Sequence, residues 1–198
     1  MIELRSAFGS MFLITAALVF GQAGSVGLAK TAEEPASCNL ASLPSAIQSR
    51  IKKDFGSWKI QESENLSENA RKTWVGRKPL VCPGIAVGLF QDAKTSSYAV
   101  LLVPMSQPNT GYRFLVFRRK AGEPSYEPTV IEQFDDHGSS NYFIRKVPIS
   151  DFFGAESKRK FQVQATEGIE MIDSAEQEYG AEIYFWSNGR FRREPVDD

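Results

Sequence analysis

The chain is poor in the residues from which reaction centres are built. One histidine and two cysteines among 198 residues supply too few ligands for a zinc site, and no C-x-x-C spacing exists for thiol–disulfide exchange. No G-x-S-x-G frame gives a serine a strained, exposed turn, and a P-loop, a dinucleotide glycine fingerprint and a zincin motif are also missing. Charge of one sign is missing too. Lysine plus arginine is 23 and aspartate plus glutamate is 24, a net of −1, so the chain does not advertise the basic surplus that nucleic-acid binding through counterion release needs. Internal repeats and low-complexity tracts are not found. No cofactor, metal or nucleic-acid partner is therefore expected.

What is present describes a folding, exported chain. The hydrophobic fraction is 42%, with 12% aromatics and 24% charged residues, which argues against disorder as the dominant state. Residues 11–20 (MFLITAALVF) form an apolar run of 10, shorter than the roughly 20 needed to span a bilayer and suited to a secretory h-region. Two small-x-small sites follow, Gly21-Gln22-Ala23 and Gly27-Leu28-Ala29. Residues 1–23 thus read as a signal peptide, with the cut as late as residue 29 as an alternative. An uncleaved anchor competes with this, but Gly24, Ser25 and Gly27 interrupt any extension of the run. A lipoprotein at Cys38 is a further reading, opposed by Pro35 and by the charges of Lys30, Glu33 and Glu34. After cleavage no stable membrane anchor is expected, and the location is periplasmic or extracellular.

Both cysteines, Cys38 and Cys82, lie beyond the leader, and an even pair in an oxidising compartment is most simply one disulfide. Closing a loop of ~44 residues constrains the unfolded chain by roughly 4 kcal/mol in the chain-entropy account.

Residues 24–37 read as a flexible leader and 38–198 as a single domain. Leu43, Ile47, Ile51 and Phe55 recur at spacing four after Ser42, with Pro44 in the first turn and Gly56 at the end, the pattern of a helix. A second short helix is expected over 67–74, with Ser67 to cap it. From Cys82 onward, short β-branched and aromatic runs separated by turn residues predict strands at 85–90, 98–103, 113–119, 126–134, 141–147, 161–166, 169–172, 181–187 and 190–194. The run 98–103 is apolar throughout and should be central and covered on both faces. The fold class is α+β, a largely antiparallel β-sheet with the N-terminal helix packed on it.

Asn188-Gly189 supplies the two positive φ angles of a type I′ hairpin between the last two strands. A two-residue loop pairs Ser187 with Arg190, Trp186 with Phe191, Phe185 with Arg192 and Tyr184 with Arg193, so Glu182, Tyr184, Trp186, Phe191 and Arg193 share one face. Either Trp186 and Phe191 cover a core with Arg193 at the rim, or Tyr184, Trp186, Phe191 and Arg193 form a contact surface for a protein or glycan partner.

Residues 82–102 (CPGIAVGLFQDAKTSSYAVLL) resemble the strand, loop, strand unit of FG-GAP or VCBS-type repeats. Gly88, Phe90 and Tyr98 keep the frame, while Leu89, Gln91, Ala93 and Ser97 stand where acidic calcium ligands belong, and Asp92 is the one acid left. The resemblance implies a β-rich exported scaffold with a surface-recognition role and, with those carboxylates gone, no working calcium site.

His137 lies among Asp135, Asp136, Ser139 and Ser140. Triads assemble from separated loops, so a solvated turn is the expected state of this cluster. The acidic stretch Glu167, Glu170, Asp173, Glu176, Glu178 and Glu182 offers carboxylates for acid–base work on a glycosidic bond, with Glu170 and Glu182 as the pair and Trp186 as a sugar platform. Basic clusters at 118–120, 158–160 and 192–193 read as solvated strand ends or gatekeeping charges. The function expected is a non-catalytic exported binding module, inhibitor-like or immunity-like. The alternative is a cell-wall or polysaccharide hydrolase using Glu170, Glu182 and His137.

Overall fold

The computed structural model describes residues 37–77, 82–119, 125–135, 138–175 and 179–196. The expected signal peptide, all but the last residue of the expected leader, and Asp136, His137, Glu176 and Glu178 lie outside the described residues. Among the described residues, no helix is long and apolar enough to cross a membrane.

Helix α1 (Ser45–Asp54) begins after Pro44, which stands at the N-cap with φ −52° and ψ 141°, just outside the first turn in which the sequence places it. Ile47 and Ile51 are buried, and Lys52 and Lys53 sit in the last turn, where cations complement the helix dipole. Strand β1 (Trp58–Ile60) follows. In α2 (Glu68–Gly76) the Ser67 hydroxyl oxygen accepts from the Ala70 amide at 3.3 Å, the N-cap bond expected of a serine there.

Two antiparallel sheets carry the rest. The first contains β1, β2 (Ile85–Gly88), β3 (Ser97–Pro104), β4 (Tyr112–Arg119) and β5 (Tyr126–Phe134). β1 and β2 share one edge of β3, facing its two ends. The second sheet runs β6 (Tyr142–Pro148), β7 (Glu167–Ser174), β8 (Tyr179–Ser187), β9 (Arg190–Pro195). The expected α+β class with mostly antiparallel pairing is what forms, divided between two sheets.

Period-two alternation explains how the layers stack. In β3, Val100 and Leu102 meet Ile47 and Ile51 of α1, while Ala99 and Leu101 meet Ile144, Ile169 and Met171 of the second sheet. The apolar run is central and buried on both faces, as its composition requires. On the far face of the second sheet, Leu66 before α2 and Ala70 within it cover Phe143, Ile172 and Ala181, and Phe153 and Phe161 around α3 (Ala155–Phe161) cover Ile183 and Phe185. The order of layers is helix, sheet, sheet, helices.

The expected strand over 161–166 is not there. Phe161 closes α3, Gln162 turns at φ 50°, and Val163 makes one isolated bridge to Ser187. Glu156 in the first turn and Lys158, Arg159 and Lys160 in the last give this short segment a favourable charge order along the helix dipole, and that outweighs the strand character of Phe161 and Val163. The basic cluster at 158–160 is therefore the end of a helix.

The sheets are latched by polar groups near β1. Ile144 N donates to Pro83 O at 2.9 Å, and the buried Gln61 side chain donates to Ser139 O at 2.8 Å. Gly84 makes this approach possible, because a Cβ there would fall 2.4 Å from Gln61 O and 2.8 Å from Gln61 N. Backbone cannot yield as a flexible side chain can. Gly84→Ala should cost roughly 3 kcal/mol, read as a lower urea midpoint. A loss under ~0.5 kcal/mol, the size of an ordinary surface change, would show that the latch adapts.

The disulfide joins Cys38 and Cys82 with a Cα–Cα distance of 4.8 Å. Cys82 is buried in the core beneath α1, with Cys38 packed against it.

Candidate functional site

β5 and β9 are edge strands of their sheets, and between them the sandwich has an open side. Which side chains line it follows from register. On β7 and β8, Tyr184 lies opposite Ile169, Glu182 opposite Met171 and Gly180 opposite Asp173. Ile169, Met171 and Tyr184 belong to the core between the sheets, so Asp173 and Glu182 point to that same inner side.

Glu132 reaches it from β5 through a β-bulge. Leu115 pairs with Val130 but Phe114 pairs with Glu132, so Ile131 is the extra residue. Had pairing continued in step, Glu132 would stand opposite Arg113, on the α1 side, where Arg113 covers the Trp58 ring at 4.3 Å. The bulge shifts Glu132 by one position and turns it to the face of Phe114, toward the second sheet. Here a local irregularity delivers a functional side chain.

The result is a groove of about 290 Å³ lined by Tyr112, Phe134 and Tyr142 together with Glu132, Asp173, Glu182 and Arg193. The Tyr112 ring lies 5.8 Å from Phe134 in a stacked arrangement and 5.0 Å from Tyr142. Gly180 adds no side chain, and a Cβ built there meets open space. At the inner end the Tyr184 hydroxyl lies 2.5 Å from Glu132 Oε2 and 2.8 Å from Glu182 Oε2. A phenol has one proton to donate, so it satisfies one carboxylate at a time. Arg193 Nη1 lies 3.1 Å from Glu132 Oε1 and 3.5 Å from Glu182 Oε2, and is the cation on which both carboxylates lean. Among the described residues that line the groove, three carboxylates face one arginine, a local negative surplus.

The phenols are held neutral. Burial, followed by the nearby carboxylates, pushes the ionisation of Tyr112, Tyr142 and Tyr184 well above the usual phenol range. Arg193 is held more firmly in its charged form, first by Glu182. The described wall of the groove is thus neutral aromatic surface with negative charge, an arrangement that attracts a cation.

The residues singled out from the sequence fall in different places. The Asn-Gly hairpin forms with the expected register, with Asn188 at φ 51° and Gly189 at φ 79°. Its shared face points inward. Tyr184 is buried, Trp186 and Phe191 are half-buried and pack edge to face at 5.1 Å, and Arg118 reaches the Trp186 ring from β4 at 5.1 Å. Of the four proposed contact residues, only Arg193 is exposed.

Glu170 and Glu182 are not brought together. Glu170 lies opposite Ile183 and Arg145, one position out of step with Met171 and Glu182, so the two carboxylates occupy opposite faces of the sheet. Glu170 is 3% exposed and bound to Arg145, with Arg77 Nη1 at 3.5 Å. Ser139, near His137 in sequence, donates its hydroxyl proton to Pro108 O. Among the described residues no group of three metal-ligating side chains is placed to hold an ion. Asp92, the acid retained in the loop of 82–102, accepts from the Lys94 and Thr95 amides at 2.7 Å each.

Comparisons of this chain with protein-family models, curated proteins and solved structures find no match.

Proposed function

We propose that this chain is an exported, non-catalytic binding module whose recognition site is the groove between β5 and β9. The observation that carries this reading is the convergence of three aromatic rings and three carboxylates on one open cavity, a lining that binds by charge and ring contact. Export to the periplasm or beyond is supported by the apolar leader with its small-x-small sites and by the disulfide. The partner is a protein or glycan of the envelope, as for an inhibitor-like or immunity-like protein. The unit at 82–102 serves as scaffold in this reading, since Asp92 is committed to backbone amides.

One observation favours the hydrolase alternative. Glu132 and Glu182 bracket a single phenol oxygen at 2.5 and 2.8 Å, so their carboxylates are close neighbours, as the paired carboxylates of retaining glycosidases are. Against it, Tyr184 and Arg193 engage both carboxylates, whereas a general acid must be free to give a proton to the leaving group.

Site-specific photo-crosslinking in the envelope separates these readings from an inert surface. Benzoylphenylalanine in place of Phe134, which is exposed at the groove, is expected to trap one discrete species. The same group in place of Val75, exposed on α2, should trap none, and Glu132→Gln with Glu182→Gln should abolish the product. Equal labelling at both positions, or none at Phe134, would sink the proposal. Release of sugar by the unmodified chain, lost in Glu132→Gln, would favour the alternative.

A further inference from the structure

The groove is small, open to solvent at one side, and large enough to take one side chain. Its volume of about 290 Å³ lies at the bottom of the roughly 300–1,000 Å³ range of small-molecule sites. A carboxylate group would meet the repulsion of Glu132, Asp173 and Glu182. An uncharged polar group would leave that charge unanswered. The lining of rings and acids is complementary to a monovalent organic cation, which gains both carboxylate pairing and ring contact.

The chain already places such a cation there. Arg193 comes from the edge strand β9, and its side chain is 56% exposed, yet its guanidinium bridges Glu132 at 3.1 Å and Glu182 at 3.5 Å. Glu132 is 18% and Glu182 34% exposed, so the acids stay in place while the more exposed arginine can swing out to water and exchange. On this basis, and resting on the reading of the groove as a binding site, we infer that the ligand is the arginine or lysine side chain of a partner protein, and that Arg193 is a built-in competitor. The incoming cation replaces Arg193 between Glu132 and Glu182, with its stem lying against Tyr112, Phe134 and Tyr142. Asp173, beside the Tyr142 phenol, supplies further attraction. Arg193 keeps the two carboxylates from repelling one another in the empty groove and sets a threshold that only a well-presented cation passes.

The test uses the mature, oxidised chain and three small probes: Nα-acetylarginine methylamide, the lysine counterpart, and the citrulline counterpart, which has the shape of arginine without its charge. Binding is followed by amide chemical shifts of groove residues. The cationic probes should bind in the millimolar range and weaken as salt rises. The citrulline probe should not shift these amides. Arg193→Ala should bind the cationic probes about tenfold more tightly, and adding Glu182→Gln should remove that gain. The inference is overturned by equal binding of citrulline and arginine, by weaker binding in Arg193→Ala, or by no cation binding in either protein. Crosslinks at position 134 that persist despite such a result would leave the groove a binding site and remove only its preference for cations.

Discussion

Arg145→Ala is expected to lower stability by about 3 kcal/mol, and by more than Glu170→Ala, although both changes break the same ion pair. The asymmetry comes from what each truncation leaves behind. Glu170 is 3% exposed, whereas Arg145 is 29% and Arg77 30% exposed. Without Arg145, a buried carboxylate keeps only Arg77, at 3.5 Å, and loses a charge-assisted bond that water cannot replace. Without Glu170, both guanidinium groups can turn to solvent, and the cost falls to roughly 1–2 kcal/mol. Urea unfolding of the two variants, with slopes unchanged, measures this order. A larger loss in Glu170→Ala would mean that the arginines, not the acid, are the groups that cannot rehydrate. Either way Glu170 acts as an anchor on the outer face of the second sheet, and Glu170→Gln should leave groove binding unchanged.

Register explains why Glu170 looked like a catalytic candidate from sequence. It and Glu182 lie on neighbouring strands, and nothing in the residues between them states how the strands align. A shift of one position exchanges the faces. The hairpin at 188–189 was legible because Asn-Gly imposes both the turn and the pairing that follows from it. Helices α1 and α2 were legible because a periodic apolar face or a serine cap announces them locally. α3 was hidden by Phe161 and Val163, whose side chains suit a strand, while its favourable charge order is a weaker signal. The division into two sheets depends on the chain path between β5 and β6, where local composition shows only a turn.

The groove was the least legible feature. Glu132 reaches it only through the bulge at Ile131, and the alternation of residues 126–134 gives no sign of an extra residue. Asp173 and Glu182 were visible as acids, but their convergence with Tyr112, Phe134 and Tyr142 joins segments up to 70 residues apart, from Tyr112 to Glu182, through two sheets. The sequence did reveal the kind of residue involved. The acidic stretch contains Asp173 and Glu182 and the last hairpin contains Arg193, whereas the rings of the groove, Tyr112, Phe134 and Tyr142, lie outside the aromatic strip of that hairpin, and the partner of Glu182 is Glu132.

Replacing both cysteines with alanine, or reducing the bond, is expected to cost about 4 kcal/mol. The loop it closes spans 44 residues and contains α1, β1 and α2. In the reduced chain, bringing α1 back onto the first sheet requires ordering this whole segment, which the bond otherwise restricts before folding begins. For a domain of this size the loss corresponds to a fall in Tm of roughly 8–16 °C. The denaturant slope should rise, because an uncrosslinked unfolded chain exposes more surface. Cys82 also belongs to the core under α1, so the alanine variant adds a packing loss that simple reduction does not. Comparing the two separates the crosslink from the packing. Reduction that moved Tm by less than ~2 °C, under 1 kcal/mol for such a domain, would show that the N-terminal segment is held by α1 alone. With the expected drop, a chain retained in a reducing compartment would carry a weakened cover over the first sheet, and the stability of this protein would depend on reaching the oxidising compartment proposed for it.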